Sequence, residues 1–447
     1  MTRVDDLPVP ALTPHVLPPG SPIASWPAQL RIGLERLPQA AYTWDDADPA
    51  VVWDDPDPDR FVWDAPFIES GFTDAVCDFV SLIIDPAEPD DLGLFGPTEA
   101  VLTLANPAGE YTVWTADGRL TYWAPGRRMC VWAVVGGEDL WLFSGRVTSW
   151  AEQADGTVVV EAFDGLAALA DELGGDWTPG VPGERALARA RSIAAQAGYT
   201  DPIAGDLGDV TLSTEPGDAT PLDAIHRAAL SDGGVFAGDA DGRLLYRDRL
   251  WRAGRDDQGP VPVVSDNVCT VDAVVWDLTL AADDAGLFVH ADLFNLAELH
   301  ATATASGADW YPGAAYRLTH PDPDLWQTQG DGDALARQLV AVSSTPALAP
   351  RGFVLHLLDP QQDLWALGVG LRRGDRVEIL HDYVDANGDP ATLDVFTIAA
   401  SIGHEITPDS WLVSVYGTRT VDHRTVELWD VTGFTWDDPD PLNVWRY

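Results

Sequence analysis

Histidines, cysteines and paired carboxylates are the residues here that could carry chemistry, and their spacing argues against it. Nine histidines (His15, His226, His290, His300, His320, His356, His381, His404 and His423) are scattered through 447 residues. No two stand at the i, i+4 spacing of the HExxH zinc hydrolases. His404-Glu405 lies between runs that read as strands, which fits a turn or a structural hydrogen bond better than a ligand. Cys77, Cys130 and Cys269 are too few and too scattered for a disulfide framework or a zinc site, so they read as small core residues. There is no G-x-S-x-G elbow, no P-loop and no G-x-G-x-x-G after a strand. Asp385-Ala386-Asn387-Gly388-Asp389 matches half of a calcium loop, yet no Glu follows at the twelfth position, and Asn-Gly reads as a hairpin turn. Acidic residues are so frequent that two neighbouring carboxylates say almost nothing about glycosidase chemistry. The expectation is a protein that is not an enzyme and holds no cofactor.

Charge is the strongest compositional signal. Asp and Glu number 71 against 26 basic residues, a formal net charge of −45, and every basic residue is Arg. Lysine avoidance with abundant Ala, Gly, Asp and Val suggests a GC-rich genome, with a salt-adapted proteome as the second explanation. Such a surface repels the phosphate backbone, so specific nucleic-acid binding is excluded. Letting DNA slide past without sticking is not. No stretch approaches the roughly 18 apolar residues of a membrane span, and the N-terminus lacks the pattern of a secretory signal. A protein made in the cytoplasm, with no membrane insertion by this chain, is expected.

The elements that would position any site fall into blocks. Residues 1–70 read as an extended arm, rich in Pro and in a Trp-Asp repeat at Trp44, Trp53 and Trp63. The repeat returns at Trp429 and Trp436 within a C-terminal arm, 426–447. Prolines with isolated aromatics suit segments that insert one ring at a time into a neighbour, which makes these five tryptophans candidate subunit-interface residues. A calcium-binding repeat at the acidic arms is the sharper alternative, but the prolines and missing loop glycines fit it poorly. A disordered acidic linker is the third.

Between the arms, 71–170 reads as short β-branched and aromatic runs parted by Asp117-Gly118, Gly136-Gly137 and Asp155-Gly156, a small barrel or sandwich. A small α/β module follows over 171–255, with helices at 183–198 and 221–231 and a hairpin turning at Asp241-Gly242. Residues 256–345 form a β/α connecting domain with a helix near 331–343. A second β region covers 346–425. The fold class expected is β-rich α+β. Trp114, Trp123, Trp132, Trp141 and Trp150 stand nine residues apart within strand patterns, which points to core or interface rather than to a sugar-binding cleft.

Three segments resemble the hub-type minor tail proteins of long-tailed phages that infect actinobacteria. The first is Leu142-Phe143-Ser144-Gly145-Arg146-Val147 followed by Val158 to Ala170. The second is Pro221 to Arg249, a helix leading into a D-x-D-G-R-L-x-Y-R-D-R hairpin. The third is Arg373-Gly374-Asp375-Arg376-Val377 with Ile402 to Trp411. They occur in family order and span about two-thirds of the chain, leaving 1–70 and 425–447 without family-typical features.

What the resemblance implies is a scaffold at a virion tail tip. It would be a homotrimer with two β-barrel-like hub domains per subunit, 71–170 and 346–425, forming a pseudo-sixfold ring. That ring would join tail tube to tip and line the DNA exit channel. The partners implied are a distal tail protein, a tape-measure protein and other tail-tip or fibre proteins. Two alternatives remain: a distal tail protein forming a hexameric ring, and a tail protein that binds or hydrolyses cell-wall glycan.

Overall fold

The computed structural model describes residues 9–10, 12–13, 21–35, 72–87, 94–113, 123, 125–170, 180–214, 219–248, 261–266, 273–281, 290–305, 317–320, 323–343, 349–359, 362–384 and 387–419. The first block holds β1 (Leu12–Thr13), β2 (Gln29–Glu35), β3 (Phe72–Asp74), β4 (Phe79–Asp85), β5 (Glu99–Ala105), β6 (Arg128–Val135), β7 (Glu138–Glu152) and β8 (Thr157–Phe163). Next come α1 (Ala167–Ala170), β9 (Glu184–Arg185), α2 (Ala186–Gln196), β10 (Ile203–Gly205), β11 (Thr211–Leu212), α3 (Pro221–Asp232), β12 (Val235–Gly238) and β13 (Leu244–Arg247). They lead into β14 (Val263–Ser265), β15 (Ala273–Val274), β16 (Trp276–Ala281), β17 (His290–Phe294), β18 (His300–Thr304), β19 (Arg317–Leu318) and α4 (Gln329–Ser343). The last block is β20 (Ala349–His356), α5 (Trp365–Gly370), β21 (Arg376–Val384), β22 (Pro390–Thr407) and β23 (Ser410–Arg419).

Alternation makes the strands. In β5 and β8 every second residue (Ala100, Leu102, Leu104; Val158, Val160, Ala162) is fully buried, while the residues between face outward. The β6–β7 turn needs two residues with positive φ, and Gly136 and Gly137 supply them at 61° and 88°. α3 starts on a Thr220 cap whose hydroxyl accepts the Asp223 N–H at 3.1 Å, with Pro221 in its first turn. It stops at Gly233, φ 73°.

One sheet runs through both β-rich blocks, in the order β1-β3-β2-β6-β7-β8-β5-β4-β22-β21-β14-β15, with β23, β20 and β16 branching from β22. The halves meet where β4 pairs antiparallel with β22, Ile84 opposite His404 and Leu82 opposite Ile406. Among the described residues this path does not close, so the expected barrels are not separate closed barrels. The chain is β-rich with few helices. Under the sheet lies a single core drawn from both halves, in which Trp26, Trp365 and Trp411 touch with centroids 5.3–6.1 Å apart. A second core unites α2, α3 and the β12–β13 hairpin with β17, β18 and α4. β22 walls both: Ile398 and Ala400 face the second core, Ala399 and Ile406 the first.

The nine-residue tryptophan spacing resolves as packing. Trp123 stacks on Trp150 at 5.2 Å and Trp132 meets Trp141 at 5.9 Å, while Trp114 lies outside the described residues. Cys130 is buried and Cys77 half-buried, both free thiols, and Cys269 lies outside the described residues.

Candidate functional site at the junction of the two cores

The three family-like segments, far apart in sequence, come together where the two cores meet. Leu142, Phe143 and Asp164 come from the first, Gly238 to Ala240 from the second, and Arg373, Ile402 and His404 from the third. Together with Ile84, Pro86 and Arg372 they line a cavity of about 50 Å³, room for a few water molecules at roughly 10–15 Å³ each.

Arg373 is the central tie. Its Nε donates to the Ala400 carbonyl of β22 at 2.9 Å, and a terminal nitrogen donates to the Gly238 carbonyl of β12 at 2.5 Å. The guanidinium carbon sits 4.4 Å from the Phe95 ring centroid, a cation–π contact. Burial lowers the arginine's pKa, opposed by the charges of Asp164 and Asp239. Asp164 is buried, and burial pushes its carboxyl up, opposed by bonds from Thr98 and Leu166 and by the Arg373 charge. Its side chain accepts the Leu166 N–H at 3.0 Å. A Cβ at 238 would lie 2.3 Å from the Asp164 carboxylate, so any larger residue there would have to push that buried side chain aside. The neighbouring turn is held in the same way: Gly242 (φ 88°) lies against Ser144, and the Tyr199 hydroxyl donates to its carbonyl at 3.3 Å.

His404 lies inside β22, not in a turn as the sequence suggested, and the structural hydrogen bond is present. The Trp411 Nε1–H donates to His404 Nδ1 at 3.3 Å. Burial, helped by the Arg372 charge, drives its pKa down to about 3. The ring is therefore neutral at pH 7 and serves as a fixed acceptor. Arg372 is pinned as well, donating from its side chain to the Val369 and Leu371 carbonyls and from its backbone to Asp375. These groups are tied to backbone and to each other, so the arrangement holds three parts of the chain in one orientation. Among the described residues no group of three or more His, Cys, Asp or Glu is placed to hold a metal ion, and no helix is long and apolar enough to cross a membrane.

The five interface tryptophans read from sequence (Trp44, Trp53, Trp63, Trp429, Trp436) and the acidic arms all lie outside the described residues. Sequence reading gave Asp164, Gly238 and Arg373 no role of their own. Their signal is the segments they sit in, polar residues fixed between apolar runs.

No protein-family model matches the chain. A solved tail protein from Neisseria meningitidis MC58 superposes with a TM-score of 0.52 at 13% identity, covering 78% of this chain and 93% of that one. A prophage tail protein from Shewanella oneidensis gives a TM-score of 0.48 at 16% identity, over 78% of this chain and 96% of its own. The fold is thus that of a solved tail protein. A curated relative, 8-amino-7-oxononanoate synthase of Pseudomonas putida (strain GB-1), is 34% identical over 117 residues. That match takes in 25% of this chain and only 29% of the synthase.

Proposed function

We propose that this chain is a structural, non-catalytic subunit of a phage-type tail. Three copies would form a ring at the tail tip that joins the tube to the tip and lines a channel for DNA. The observation that carries the reading is the shared fold with the Neisseria tail protein over nearly all of that protein's length. The two β-rich halves joined at β4 and β22 are consistent with it, since three copies would place six such halves around a ring. The net charge of −45 supports the channel: a carboxylate-rich wall repels the phosphate backbone, so DNA passes without binding. The Trp-Asp arms would cross subunit seams with Trp44, Trp53, Trp63, Trp429 and Trp436 as anchors, and the partners would be a distal tail protein, a tape-measure protein and tip or fibre proteins. The mass of the purified chain by light scattering, in low and high salt, tests this. Three copies are expected. Six copies would point to a distal tail protein, and one copy at every salt concentration, with activity on peptidoglycan, to a wall-degrading component.

A further inference from the structure

Among the described residues the end of the β21–β22 hairpin has no strand beside it except its own partner; at its base His381 meets the Asp266 carboxylate at 2.8 Å, and within it Asp382 accepts the Thr392 hydroxyl at 2.6 Å. β14 pairs with β21 only as far as Leu380, and β23 pairs with β22 only from Thr397 onward. Beyond those points, among the described residues, the two strands pair with each other alone, from His381 opposite Leu393 to Val384 opposite Pro390. That projection is about 10 Å long at roughly 3.3 Å per residue. Tyr383 and Val384, on opposite faces of the ribbon, are 43% and 68% exposed. Asp382, Asp389 and Asp394 are exposed too, and the sequence has no arginine between Arg376 and Arg419. The tip is therefore an acidic ribbon with two large apolar side chains facing water.

α2 is its opposite. From Arg185 to Tyr199 the sequence holds three arginines and no acid, in a chain of net charge −45. Arg189 is buried, while Arg185 and Arg191 are exposed along a stripe with Ala188 and Ala195 at helical spacing. Backbone carbonyls hold both exposed guanidiniums in place. Arg185 donates to the Gly208 carbonyl at 3.2 Å, and Arg191 to the Ile203 carbonyl at 3.0 and 2.7 Å. Among the described residues neither meets a carboxylate. The alanines between them leave space for a strand to approach closely.

We infer that the acidic ribbon of one copy docks on the arginine stripe of the next. Both surfaces are exposed in one chain, so the contact is not made within a copy. They are complementary in charge, and they are different surfaces, so each copy both gives and receives. A contact of that kind is head-to-tail and closes into a ring when its rotation allows. Asp382 and Asp389 would face Arg185 and Arg191, with Tyr383 and Val384 covering the alanines as water leaves. The inference rests on the ring reading above and names the seam that reading requires.

Charge reversal tests it on the full chain. In one variant Asp382→Arg and Asp389→Arg reverse the ribbon; in another Arg185→Asp and Arg191→Asp reverse the stripe; a third carries all four. Light scattering reads the mass at low and moderate salt, and circular dichroism with a thermal scan checks that each variant is folded. Each one-sided variant should associate at least about tenfold more weakly than the parent, and the fourfold variant should recover the parental mass. A parental ring that both one-sided variants retain would overturn this contact and leave the ring reading standing. Loss in both folded variants without recovery in the fourfold chain would also overturn the pairing, assigning the two surfaces to separate partners. A parental chain that is monomeric at every salt concentration would remove ring and contact together.

Discussion

The two cores hide ionisable groups with opposite responses to acid. In the first, His404 is buried against Trp411 and its pKa falls to about 3 from the usual 6.5. In the second, Asp232 at the end of α3 accepts the Asp209 and Val210 N–H groups at 2.9 and 2.6 Å and the Tyr246 hydroxyl. Burial outweighs those bonds and pushes Asp232 up to about 6 from 3.8. A buried neutral imidazole stabilises the fold above pH 6.5, and the contribution is lost as pH falls toward 3. A carboxyl raised to about 6 does the reverse: its contribution is complete below pH 3.8 and is lost as pH rises through 6. His404 thus favours neutral over acidic conditions, while Asp232 in the helical module is ionised at neutral pH in a place whose burial disfavours that charge. Because β22 walls both cores, the two tendencies meet in one strand.

The largest expected effect probes whether that shared wall makes one cooperative unit. Trp411→Ala in the first core and Trp326→Ala in the second each remove a fully buried indole, and each should cost about 3–5 kcal/mol. If the cores unfold together, both variants shift a single denaturant transition; separate transitions, each moved by only one variant, would break the coupling. Next is Arg373→Ala, which leaves the Ala400 and Gly238 carbonyls without their side-chain donor and removes the positive charge that acts on the buried Asp164. A loss of about 2–4 kcal/mol is expected, with the single transition splitting in two. An unchanged single transition would mean that the junction is not what joins the cores.

Smaller effects sharpen the pH contrast. His404→Gln should flatten the loss of stability between pH 6.5 and 4, measured by urea melts. Asp232→Asn should gain on the parent as pH rises from 4 to 7, because the asparagine has no charge to bury. If the two variants move the pH profile in the same direction, the contrast is wrong. The smallest effect belongs to Tyr383→Ser on the exposed ribbon, whose folding stability should change by less than about 0.5 kcal/mol.

Local features of this fold were legible in the sequence, and its long-range ties were not. The alternation in β5 and β8, the Gly136-Gly137 turn, the Pro221 start of α3 and the hairpin turning at Gly242 all follow from rules that act over a few residues. His404 was misplaced because a polar pair between apolar runs looks like a turn, whereas β22 is an 18-residue strand that carries the pair straight through. Arg373 bonds to a carbonyl 135 residues away, and no periodicity encodes that distance. The meeting of β4 with β22 was equally hidden, since each strand reads correctly alone and nothing local says which edges will pair. What the sequence did carry was three short segments with fixed polar residues, and these are the segments that converge on the junction.

The most direct test of the scaffold reading is the image of the purified protein. Negative-stain class averages should show a ring with a central opening and threefold symmetry. Averages of compact single copies with no opening, at a concentration where light scattering also reports one copy, would contradict it.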